Sequence, residues 1–74
     1  MVKVVLTLSE AKPEVAHAVG LELHRKGYQF KYAYFTPEHE YVMGFQGERA
    51  VSDALSSRVS SICSTNGISV GITE

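Results

Sequence analysis

Three histidines and one cysteine are the residues in this chain best suited to metal binding or catalysis. His17 and His24 are seven positions apart, which on a helix separates them by about 10.5 Å along the axis, too far to share one ion unaided. The acidic and histidine side chains at 38–40 are adjacent in a turn, where neighbouring side chains diverge. A single Cys63 has no second cysteine for a metal site or an internal disulfide. We therefore expect no metal and no cofactor.

Nucleophilic catalysis needs a base within hydrogen-bond reach of the nucleophile. Cys63 falls towards the buried side of a helix with Ser and Ile neighbours, where a thiol acts as a small hydrophobic side chain. The carboxylates expected at helix starts or on polar flanks are Glu14, Glu22, Glu48 and Asp53. The sequence therefore predicts a protein that is not an enzyme. A small dimeric α+β-barrel enzyme with a Tyr or His acid/base is the remaining catalytic alternative.

Charge and hydropathy exclude two classes of partner. The 74 residues contain 7 Lys and Arg against 8 Asp and Glu, and no basic run exceeds Arg25-Lys26, so we expect no nucleic-acid binding. No apolar run approaches the 18 residues of a membrane span, and residues 1–6 are too short for a signal peptide. We expect no membrane association and a cytoplasmic, reducing location.

Hydrophobic periodicity predicts six elements in the order βαββαβ within one domain, 1–74. Alternation indicates strands over 2–8, 28–35, 41–45 and 68–72. Ser9 and Pro13 are typical of a helix start, and Gly27 of a helix end; the second helix ends at Asn66-Gly67. Two right-handed strand-helix-strand units predict an α+β ferredoxin-like sandwich. Its four-stranded antiparallel sheet would have the order 4-1-3-2, with both helices on one face.

The aromatic segment 28–35 is predicted to be an edge strand. Simple alternation places Ala33 and Phe35 on the helix-free face. It places four aromatic residues on the opposite face, namely Tyr28, Phe30, Tyr32 and Tyr34. Only Lys31 opposes pairing at this edge, and a chain this short is marginally stable alone, so we expect a homodimer formed by sheet extension. The predicted interface residues are Tyr28, Phe30, Lys31, Tyr32 and Tyr34.

Two helical features have both a functional and an ordinary interpretation. Gly20, inside the first helix, either marks close packing or is simply tolerated. The second helix carries serines at 52, 56, 60 and 64, which form either a flat contact surface or an ordinary exposed face.

The first helix and the residues after it follow a spaced pattern that resembles ACT domains. The residues that carry it are Pro13-Glu14-Val15-Ala16, Val19, Leu23, Gly27 and Tyr28-Gln29-Phe30. The resemblance implies a regulatory βαββαβ module that pairs edge to edge and binds a small amino-acid-like effector at the loop into the first helix. On this chain the implied ligand-binding residues are Ser9, Ala11, Lys12 and Glu14. Ser9 as a helix cap and Pro13 as a helix starter explain the same segment without a ligand.

Two functions follow as expectations. The first is a stand-alone, ACT-like regulatory module that senses a small amino-acid-like effector as a homodimer. The alternative is a protein-interaction module, such as a small inhibitor or adaptor, for example a phage-borne one, which binds a protein partner through the sheet or the serine face.

Overall fold

The computed structural model describes all 74 residues, Met1–Glu74, as four strands and two helices. In chain order they are β1 (Val2–Leu8), α1 (Pro13–Arg25), β2 (Gln29–Phe35), β3 (Tyr41–Gly47), α2 (Asp53–Thr65) and β4 (Val70–Thr73). The antiparallel sheet has the order β2-β3-β1-β4, which is the predicted order 4-1-3-2 counted from the opposite edge. The ferredoxin-like α+β fold is therefore confirmed.

Burial along β1 follows its alternating sequence. Val4, Leu6 and Leu8 are fully buried under the helices, and this strand lies between β3 and β4. α1 contributes Val15, Val19 and Leu23 to the same core, and α2 contributes Leu55, Val59 and Cys63. The most buried residue on the last turns of α2 is Cys63, whereas the neighbouring Ile62 is only partly buried.

The start of α1 differs from the prediction. Lys12, not Ser9, occupies the N-cap position, and no side chain caps the helix there. Pro13 follows as the first helical residue, where its missing N–H has no intrahelical acceptor to lose. Ser9 instead accepts a hydrogen bond on Oγ from the Ser69 backbone N–H at 3.0 Å. The serine therefore joins the end of β1 to the approach of β4. Gly27, just beyond the helix, has the left-handed φ of 92° expected of it.

Glu22 connects the two helices. Glu22 is only 8% exposed, and Arg58 of α2 donates a hydrogen bond from Nη2 to Glu22 Oε1 at 2.8 Å. Arg25 Nη1 lies 3.8 Å from the same oxygen. The Arg58 hydrogen bond lowers the pKa of the Glu22 carboxyl below its ordinary value. The expectation of a solvated polar flank was wrong for this residue, because the flank of α1 that carries it faces α2.

A bulge in β2 changes the face that its aromatic residues occupy. Phe30 pairs with Phe45, but Tyr32 rather than Lys31 pairs with Gly44, so Lys31 is the extra residue. Because one residue is inserted, alternation resumes in the opposite phase. Tyr32 and Tyr34 therefore lie on the helix-free face, where Ala33 and Phe35 were predicted to lie.

Two glycines of β3 are covered by tyrosine rings on opposite faces of the sheet. A Cβ built on Gly44 would lie 2.2 Å from the Tyr32 ring, and one on Gly47 would lie 2.5 Å from the Tyr28 ring. The Tyr28 hydroxyl also donates a hydrogen bond to the Arg49 carbonyl at 2.6 Å. A ring that lies over a bare strand glycine restores the contacts that the missing side chain would have made. These two pairs hold β2 in register on β3.

Candidate functional site

The β2 edge is the most exposed apolar part of the molecule. All seven residues of Gln29–Phe35 are exposed. Four of them are aromatic, and their exposed fractions are 57% for Phe30, 46% for Tyr32, 53% for Tyr34 and 64% for Phe35. The total accessible surface of 4683 Å² is close to the ~4,500 Å² expected of a compact chain of this mass. The aromatic exposure is therefore local to this edge rather than a sign of loose packing.

Exposed aromatic rings flank the edge on both faces of the sheet. On the helix-free face, Tyr32 and Tyr34 stack with ring centroids 6.0 Å apart and ring planes 21° apart. On the helix side, Phe30 packs edge-to-face against Phe45 at 5.6 Å, and Phe35 lies 5.3 Å from the Tyr41 ring. Aromatic ring pairs thus lie along both faces of this one strand.

The backbone of this strand is free to pair. β2 bonds to β3 on one side only, so its outer N–H and C=O groups have no strand partner. The usual obstacles to edge pairing are prolines, charged side chains and covering segments. Within Gln29–Phe35 the only charged residue is Lys31, and no proline is present. This edge is accordingly suited to accept another strand.

A groove of about 330 Å³ runs beside the edge, between α1 and the outer half of the sheet. Its floor contains Met43 and Phe45 of β3, and Phe30 closes it on the side of β2. His17 and His24 line it from α1, two helical turns apart. His17 and His24, whose spacing is too long for one metal ion, therefore border one apolar groove.

The 8–14 loop, where the ACT resemblance places ligand residues, makes contacts within the chain. Lys12 Nζ donates a hydrogen bond to the Asn66 carbonyl at 3.0 Å, at the C-terminal end of α2. Ser9 is bonded to Ser69, as described above. Ala11 is half-buried and Glu14 is exposed in the first turn of α1. None of the four cavities of the molecule is lined by these residues.

Four of the five predicted interface residues are exposed on β2, and the fifth is buried. Phe30, Lys31, Tyr32 and Tyr34 lie exposed on the edge strand, but Tyr28 is 5% exposed and belongs to the core. Phe35 and the groove were missed as parts of this site. A signal for Phe35 was available, because the adjacent aromatics Tyr34 and Phe35 must lie on opposite faces of a strand.

Groups able to perform chemistry are dispersed over the molecule. No group of three or more His, Cys, Asp and Glu residues is close enough to hold a metal ion. Burial raises the pKa of the Cys63 thiol, which favours its protonated form over the nucleophilic thiolate. Gly20 has no atom within 4 Å of the position that a Cβ would take, so close packing does not explain it. No helix is long and apolar enough to cross a membrane.

Comparison of the chain with protein-family models, with curated proteins and with solved structures gives no match.

Proposed function

We propose that the protein is a small, non-catalytic binding module that works as a homodimer formed by pairing of β2 with β2 of a second copy. The observation that carries this proposal is the complete exposure of an aromatic edge strand, Gln29–Phe35, with a free backbone. Sheet extension satisfies the outer backbone groups and covers the exposed rings in one step.

The phase of alternation limits the register of the pairing, and the small side chain of Ala33 suits the position on the axis. In an antiparallel pair of strands, residues opposite each other have their side chains on the same face of the sheet. When a twofold axis perpendicular to the sheet relates the two strands, one residue must therefore lie opposite its own copy, with the axis between them. Tyr32 and Tyr34 share the helix-free face, with Ala33 between them on the helix side. With the axis at Ala33, Tyr32 of each copy lies opposite Tyr34 of the other copy. The result is a cluster of four tyrosines on one face, with the small Ala33 pair on the other.

The area available is that of a small but specific interface. A fully exposed aromatic side chain offers about 200 Å², so the exposed fractions of the four β2 aromatics amount to about 440 Å² per copy. The two copies together expose close to 900 Å² of aromatic surface on these strands, which is the most that pairing could bury before the strand backbone is added, since part of Phe30 also faces the groove. Specific interfaces begin near 1,000 Å² in total.

Charge at the two ends of the proposed interface is complementary. The twofold axis reverses the second strand, so the hairpin between β2 and β3 of one copy lies at the end where α1 of the other copy finishes. The hairpin carries Glu38 and Glu40, and α1 finishes with Arg25 followed by Lys26. Opposite charges at an interface rim favour association and fix orientation.

The test is sedimentation equilibrium of the native chain and of Ala33→Lys. Ala33 is exposed, so the variant should fold, but two ammonium groups would meet at the axis and weaken the dimer at least about 100-fold. Ser57→Lys adds the same charge to the exposed side of α2 and should leave dimerisation unchanged. A native chain that stays monomeric at hundreds of micromolar would refute the proposal, as would an Ala33→Lys variant that dimerises normally.

The regulatory function implied by the ACT resemblance stays a prediction. It needs an effector site at Ser9, Ala11, Lys12 and Glu14, and the polar groups of Ser9 and Lys12 already have partners within the chain. The geometry therefore favours the β2 edge over this loop as the binding surface. A thermal-shift panel of amino acids on the native chain and on Lys12→Ala would test the loop separately, since Lys12 takes no part in the proposed dimer.

A further inference from the structure

We infer that the groove between α1 and β2 is a binding site for a small aromatic carboxylic acid. The groove is lined by one chain, so this site goes beyond the proposed dimer and does not require it. Its volume of about 330 Å³ lies at the lower end of the range for small-molecule pockets, which suits a ligand of one or two fused rings.

The groove is shaped by a missing side chain. Gly20 lines it from the middle of α1, and nothing lies within 4 Å of the position of its absent Cβ. A glycine inside a helix is less favourable than alanine, and at this site no steric conflict excludes a Cβ. The glycine therefore keeps the groove open.

The walls favour a flat, apolar molecule. Phe30, Phe45 and Tyr41 present rings to the groove, and Met43 lies among them. Aromatic rings bind planar ligands by stacked or edge-to-face contacts, and a thioether adapts its shape to such rings. An aliphatic ligand could fill the same volume but could not make these stacked or edge-to-face contacts with the rings.

The polar groups of the lining favour an acid. His17 and His24 of α1 both line the groove, and no Asp or Glu is among the lining residues. An imidazole donates at least one N–H, and a carboxylate only accepts, so the two groups are matched. Glu22, the buried carboxylate of α1, is held by Arg58 in the contact between the helices and does not line the groove. Nothing in the lining therefore repels an anion.

The experiment is a two-dimensional amide NMR titration of the native chain with indole-3-acetate and with neutral indole. We expect shifts at Gly20, His24 and Phe45, and an affinity about tenfold higher for the acid, the contribution of one charge-assisted hydrogen bond. Gly20→Leu fills the groove and should abolish these shifts while the helix becomes no less stable. Ser61→Leu, on the exposed side of α2, is the matched control and should bind as the native chain does.

Four results would overturn the inference. Equal affinity for indole and indole-3-acetate would remove the imidazoles from recognition. Unchanged binding by Gly20→Leu, or shifts confined to the 8–14 loop, would place the ligand elsewhere. No binding of either probe up to millimolar concentration would mean that the groove does not accept an aromatic acid, whatever the oligomeric state shown by sedimentation.

Discussion

Gly44→Ala tests the packing that fixes the aromatic edge. The Tyr32 ring occupies the space above Gly44, and a Cβ there would lie 2.2 Å from two ring atoms. Carbon atoms in contact are about 3.5–4.0 Å apart, so the ring has to move off β3. The exposed half of the ring does not hold it in place, and rotation towards solvent is the available response.

The magnitude follows from the surface that Tyr32 loses. The residue is 46% exposed, so about half of its roughly 200 Å² is covered. Exposing about 100 Å² costs about 2.5 kcal/mol at 25 cal/mol per Å². Alanine in place of glycine in a strand returns about 0.5–1 kcal/mol through the lower entropy of the unfolded chain. Gly44→Ala should therefore destabilise the native chain by about 2 kcal/mol.

The same substitution should have the opposite sign once the ring is absent. In a Tyr32→Ala background, Gly44→Ala should stabilise the fold by about 0.5–1 kcal/mol. Urea denaturation of the four proteins in this double-mutant cycle gives the coupling directly. Gly71→Ala is the control, because nothing lies within 4 Å of its Cβ position, and it should not be coupled to Tyr32. Equal effects of Gly44→Ala with and without Tyr32 would show that the ring does not lie on this glycine.

Three other substitutions probe contacts that hold the frame of the site. The pKa of Glu22 in the folded chain lies below its ordinary value of 4.5, so its contribution to stability is complete above pH 4.5 and is lost as the pH falls further. Glu22→Gln should therefore be less stable than the native chain at pH 7. In urea titrations its stability should also fall less steeply between about pH 5 and 2. Ser9→Ala should cost about 1 kcal/mol and speed amide exchange at Ser69 without loss of helical circular dichroism, whereas loss of helix would restore Ser9 as a cap. Tyr28→Phe removes a 2.6 Å hydrogen bond and should lower the urea midpoint by an amount equivalent to about 1 kcal/mol, and an unchanged midpoint would contradict the bond.

The element order could be predicted from the sequence because each element carries its own period. Val4, Leu6 and Leu8 alternate in β1, and Val15, Val19 and Leu23 form one helical stripe in α1. These patterns depend only on local geometry, and two short crossovers then leave few possible sheet orders. The predicted order agrees with the structure for that reason.

The face of the aromatic strand could not be predicted by the same rule. A period of two applies only while every residue is paired, and the extra residue at Lys31 changes its phase without any change in composition. The cause is non-local, because Tyr32 moves to the face where Gly44 on β3 leaves room. Glu22 is a second non-local case, since its burial depends on Arg58, 36 positions away in the chain.

Site-specific cross-linking measures the central claim, the pairing of β2 with itself through Ala33, most directly. Native Cys63 is buried, so an introduced cysteine is the reactive one. With a short bis-maleimide, Ala33→Cys should give covalent dimer in high yield, since opposite residues lie about 5 Å apart. Gln29→Cys should give almost none: the bulge at Lys31 leaves Gln29 three β3 steps from Ala33, so its copies would be about six steps, or about 20 Å, apart. Equal yields at the two positions, or no dimer from Ala33→Cys, would contradict the pairing.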